Sequence, residues 1–147
     1  MYAFHATLWV SSPHLQKGPV VPLRGDRLAT RMPDTSHDVD AFGITFEKAA
    51  CEMEKLERMI VEPDGSFVYS GDDPARWQLE GNLFDRAGRL LNVQLWGNCP
   101  PATFDRLLNC FDWPATELVF ECLREGVYLA EPEFRRFAKL AISDETS

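Results

Sequence analysis

Between Trp77 and Asn98 the chain alternates apolar and polar residues twice over, and this pattern restricts its fold more than any other. Trp77, Leu79, Gly81 and Leu83 alternate with Gln78, Glu80, Asn82 and Phe84. After Asp85-Arg86-Ala87-Gly88-Arg89, Leu91, Val93, Leu95 and Gly97 alternate with Asn92, Gln94, Trp96 and Asn98. A period of two sends the sets to opposite sides of a pleated strand, so the segment reads as a hairpin with one buried face. A three-residue loop, Arg86-Ala87-Gly88, puts glycine at the left-handed position that such loops need. In that register Asp85 faces Arg89, Leu83 faces Leu91 and Leu79 faces Leu95. On the outer side Glu80 faces Gln94, Asn82 faces Asn92 and Gln78 faces Trp96.

A hairpin needs cover for its apolar face, and helical spacing on either side supplies it. Phe42, Phe46, Ala49, Ala50, Met53, Leu56 and Ile60 recur at three and four residues, which predicts a helix capped by Asp40 and ending before Pro63. Glu62-Pro63-Asp64-Gly65 is a turn, and Ser66 to Ser70 a short strand. Past the hairpin, Pro101 opens a helix with Phe104, Leu107, Leu108 and Phe111 on one face. Residues 116–125 read as a second helix stopped by Gly126, with a strand turning into Val127-Tyr128-Leu129 as the rival. Pro132 opens a last helix bearing Phe134, Phe137, Ala138 and Ala141. The expected fold is therefore α+β: an N-terminal helix, an antiparallel meander, then C-terminal helices packed on one sheet face.

Residues 11–40 hold four of the ten prolines, which disfavours a helix or a central strand there. Residues 1–40 thus read as a proline-rich arm, extended or disordered, with a short strand over Tyr2 to Val10. Residues 41–142 make the single domain, and 143–147 a polar tail. At 147 residues one domain hides enough surface to need no disulfide or metal.

The net charge is −8, all of it within residues 41–147, because the arm's four basic and four acidic residues cancel. With no basic block, nucleic acid is disfavoured as a partner. No apolar run approaches ~18 residues, which argues against a membrane span. The first ten residues lack the basic start of an export signal, and none of Cys51, Cys99, Cys110 and Cys122 forms a C-x-x-C pair. Reduced thiols in a cytoplasm are the expectation.

No nucleophile elbow, phosphate loop, dinucleotide fingerprint or zinc-protease motif occurs, and no cofactor or metal is implied. All three histidines, His5, His14 and His37, fall in the arm. The one candidate nucleophile is Cys99, placed where a strand meets a helix whose N-terminus could lower its pKa. Against that stands the plainer role of a small buried residue filling the junction. The other candidate surface is the hairpin's outer face: Gln78, Glu80, Asn82, Asn92, Gln94 and Trp96. Amides beside an aromatic can hydrogen-bond to and stack on a partner, although antiparallel sheets also simply wet one side. Asp72-Asp73 and the His37-Asp38-Val39-Asp40 run suit a turn and a helix cap better than a metal. The leading expectation is a non-catalytic binding or protein-interaction module. The alternatives are a thiol-dependent enzyme using Cys99, and a structural homo-oligomer.

Overall fold

The computed structural model describes residues 1–13, 15–33 and 39–140. Among them nine strands form one antiparallel sheet: β1 (Tyr2–Val10), β2 (Gln16–Leu23), β3 (Asp26–Met32), β4 (Met59–Val61), β5 (Ser66–Gly71), β6 (Trp77–Arg86), β7 (Arg89–Cys99), β8 (Leu118–Cys122) and β9 (Val127–Ala130). Three helices accompany them, α1 (Phe46–Met53), α2 (Pro101–Asn109) and α3 (Glu131–Lys139). The sheet order is β2-β3-β9-β8-β1-β7-β6-β5-β4, which sets the first strand in the middle with four strands on each side.

The expected N-terminal helix is therefore overturned. The chain opens with three strands, and its first helix starts only at Phe46. Tyr2, Phe4, Ala6 and Leu8 are buried on one side of β1, against Leu95 and Val93 of β7 and Phe120 of β8. Pro19 and Pro22 are accommodated because β2 is an edge strand, where proline is tolerated, and Pro13 and Pro33 fall outside the strands. The β2–β3 pairing shifts register between Lys17 and Val20, beside Pro19.

Two further expectations fail for local reasons. The helix from Phe42 to Ile60 shrinks to Phe46–Met53, capped not by Asp40 but by Thr45, whose hydroxyl accepts from the Lys48 amide at 3.0 Å. Arg58 takes a left-handed φ of 62°, and Met59–Val61 then pairs with β5 as β4. Residues 118–122 are β8 rather than helix. Leu118, Val119, Phe120 and Cys122 are all buried, so both faces of the strand are apolar and the period-two signal is lost.

All three helices lie on the Phe4 side of the sheet. Phe134 of α3 stacks on Phe120 with ring centroids 4.2 Å apart and meets Phe4 at 5.1 Å, while Phe104 of α2 meets Phe4 at 5.4 Å. Because β7 and β8 both run antiparallel to β1, α2 carries the chain across β1 on this side. Burial of these rings dominates the core, each fully buried aromatic contributing about 2–3 kcal/mol. No helix among the described residues is long and apolar enough to cross a membrane.

Candidate functional site

The sheet face turned away from the helices is uncovered among the described residues, and the strand register fixes what it presents. The hairpin closes through a two-residue turn, Ala87-Gly88, with φ of 55° and 83°, instead of the expected three-residue loop. Both values are left-handed, the geometry whose twist matches paired strands. Leu90 then faces Asp85, and the pairing slips one residue between Phe84 and Asp85, which leaves Leu91 unpaired as a bulge. Beyond the bulge Leu83 faces Val93, Asn82 faces Gln94, Glu80 faces Trp96 and Gln78 faces Asn98. The partners are thus two residues from those expected. A shift of two keeps each side chain on its face, so the six predicted residues share one surface.

The structure extends that surface across the sheet. Trp96 faces His5 of β1, their rings 5.7 Å apart and tilted by 56°. One row runs Asn82, Gln94, Thr7, Glu121, Tyr128 and Arg31 through β6, β7, β1, β8, β9 and β3. Trp9 lies on the same side as Thr7, and its indole Nε1 donates to Glu121 at 3.0 Å. Burial, and then the carboxylate of Glu121 beside it, pushes the Tyr128 hydroxyl above its ordinary pKa. Thr7 and Val119 are buried on this helix-free side, Thr7 between Gln94 and Glu121 and Val119 beside Trp9.

Not every predicted residue keeps free hydrogen-bonding capacity. The Asn82 side-chain amide donates to the Leu83 carbonyl at 3.0 Å. Sequence reasoning missed His5, Trp9, Glu121, Tyr128 and Arg31. For β1 the signal existed, since Ala3, His5, Thr7 and Trp9 alternate with Tyr2, Phe4, Ala6 and Leu8.

At one end of this face the sheet is incomplete. β8 pairs with β1 only over Ala6–Val10, and the Leu123 amide donates to His5 O at 3.1 Å as the chain turns away. Arg24 fills part of the gap. It occupies the β2–β3 turn with a φ of 50°, followed by Gly25 at 82°. Its Nη1 donates to the carbonyls of Ala3, Phe137 and Leu140 at 2.8, 3.1 and 3.3 Å. The guanidinium lies 4.0 Å over the Phe137 ring, and burial lowers its pKa. The rest of the gap is a cleft of about 600 Å³, bounded by His5, Arg24, Gln94, Trp96, Arg124 and Glu125.

Cys99 sits elsewhere, on the helical side opposite Tyr2. It is fully buried, and burial pushes its thiol up to about 12. The helix beside it starts at Pro101 with Pro100 as its N-cap. Neither proline carries an N–H, so the two backbone donors that follow Cys99 directly in the chain are missing. Cys99 therefore has neither the exposure nor the thiolate that the thiol reading requires. Cys122 is likewise buried with its thiol pushed up to about 12, and Cys51 alone is exposed.

Asp72 pairs with Arg58 at 2.7 Å, which lowers its pKa and explains that acid pair as a salt-bridged turn. Among the described residues no three His, Cys, Asp or Glu converge as metal ligands would. His14, Asp34, His37 and Asp38, Ala141, expected on the last helix's inner face, and the tail 143–147 lie outside the described residues. Comparison with protein families, with curated proteins and with solved structures found no match in any of the three.

Proposed function

We propose that this protein is a non-catalytic binding module that receives a partner protein on the open face of its sheet. The observation that carries the reading is the register across that face, which gathers half-buried Trp9, Trp96, His5 and Tyr128 with Gln94, Glu80 and Glu121 on five adjacent strands. Rigid aromatics interleaved with hydrogen-bonding groups are the composition of contact hot spots, because they bury large areas at low entropic cost. A strand framework also holds them in place before binding, which lowers the ordering entropy that association must overcome. The net charge of −8 favours a protein over a nucleic acid as that partner. Four cysteines present as free thiols suit a reducing cytoplasm.

Photo-crosslinking tests the reading. A benzophenone side chain at position 96 should give a discrete adduct in cells of the source organism, and one at exposed Glu54 on the helical side should not. An adduct of twice the protein's mass would point to self-association instead. The same products from both positions, or none from position 96, would refute the proposal. In parallel, Trp96→Ala should leave thermal stability nearly unchanged while the adduct's affinity falls.

A further inference from the structure

We infer that the cleft between His5, Trp96, Arg24 and Arg124 binds a small planar carboxylate, with its ring against Trp96 and its carboxylate toward the two arginines. The inference shares His5, Trp96 and Gln94 with the partner-binding reading but needs no partner protein.

The case starts with Arg24. A guanidinium taken partly out of water is normally neutralised by a carboxylate, because desolvating a lone charge is costly. Arg24 is half-buried, yet its acceptors are three neutral carbonyls and its other contact is an aromatic ring. Among the described residues no carboxylate lies within ion-pair distance of it. Glu125 acts on it only from further away, as the largest influence opposing the lowering of its pKa by burial. All three hydrogen bonds leave from Nη1, so the Nη2 and Nε edge of the fork has no acceptor among them. That edge is a planar pair of donors spaced for the two oxygens of a carboxylate. Because the backbone bonds already hold the side chain, a ligand need not order it.

Arg124 sits on the same cleft with Glu125. Two arginines and one glutamate leave one net positive charge, which suits a monoanion better than a phosphate dianion. The cleft is also lined by Trp96, with the His5 ring beside it, and by Gln94 of the same strand. An indole held on a strand is a flat stacking surface. About 600 Å³ is the volume class of small-molecule sites and holds a one- or two-ring acid with room for water.

The test is isothermal titration of the full chain with 1-naphthoate, acetate and 1-naphthalenemethanol at low salt, with the ¹⁵N–¹H signal of the Trp96 indole followed alongside. The naphthoate should bind and shift the Trp96 signal, while acetate, which lacks the ring, and the alcohol, which lacks the charge, should each bind about ten-fold more weakly or worse. Arg124→Gln, on an exposed side chain with little part in the fold, should weaken naphthoate about three- to ten-fold. Arg24→Met should weaken it further, and its circular dichroism spectrum reports whether the fold survives. Trp96→Ala should remove the binding. No binding of naphthoate, equal binding of the alcohol, or affinity indifferent to both Arg124→Gln and Trp96→Ala would overturn the inference. So would naphthoate binding that appears only in Asp144→Asn/Glu145→Gln, because the chain's own carboxylates would then be the occupants. Crosslinking at position 96 and naphthoate titration are separate readouts, so either idea can fail alone.

Discussion

Raising the pH should destabilise this protein through a thiol that is shut away from solvent. Cys99 is fully buried, and its pKa moves from an ordinary 9.0 to about 12 on folding. A folded pKa raised above the unfolded one means the stabilising contribution is complete below pH 9.0 and is lost as pH climbs toward 12. At pH 10 the unfolded thiol is about nine-tenths ionised and the folded thiol about one-hundredth, a difference worth about 1.4 kcal/mol. Urea unfolding of the wild type and of Cys99→Ala at pH 7.5 and 10 isolates this one group, since every other titrating residue is common to both. The wild type should lose about 1.4 kcal/mol more than the variant over that interval. Alkylation gives an independent check: at pH 8 the thiolate fraction is about a thousand-fold lower folded than unfolded, before any steric protection is counted. Equal pH slopes for the two proteins, or alkylation of native Cys99 at the unfolded rate, would refute the reasoning. A fast native reaction would also return Cys99 to consideration as a nucleophile.

Two other substitutions probe the sheet and its cover. Gly81→Ala puts a Cβ at 2.2 Å from Gln94 O and 2.5 Å from the Phe67 ring, so it should destabilise by about 1–3 kcal/mol in chemical denaturation; a neutral result would mean the β5–β6–β7 surface gives more easily than close packing allows. Phe134→Ala removes the ring stacked on Phe120 and should cost about 3–5 kcal/mol, whereas a loss below 1 kcal/mol would show that α3 is not seated on the sheet.

What the sequence made legible follows from which contacts are local. The hairpin was readable because both strands alternate and only a short turn separates them, and even there the shorter turn and a bulge at Leu91 each moved the pairing by one residue, two in all beyond the bulge. The helices at Pro101 and Pro132 were readable from proline at their first turns and phenylalanines at helical spacing. β8 was misread because its neighbours come from far away: Leu8 and Trp9 cover its two faces more than a hundred residues upstream, and the segment itself carries only a run of apolar residues. The prolines of residues 11–40 suggested disorder because an edge strand's tolerance of proline depends on its place in the sheet, which no local pattern encodes. The candidate site was half visible for the same reason. Gln94 and Trp96 sit in the legible hairpin, whereas His5, Arg24 and Arg124 reach the cleft only when β1, the β2–β3 turn and the β8–β9 turn assemble.

The central position of β1 also sets an order of events during synthesis. Its two neighbours are β7 and β8, so Tyr2–Val10 has no strand to pair with until residues near 99 and then 122 have followed it out of the ribosome. The β4 to β7 meander, whose pairings are all local, can form meanwhile and offer β7 as a template. Folding should therefore be slow for a chain of this size, since closing the longest loops comes last and contributes most of the barrier. Until then Tyr2, Phe4 and Leu8 are exposed on an unpaired segment that favours β structure, which makes the interval before β8 emerges the time of greatest risk of aggregation.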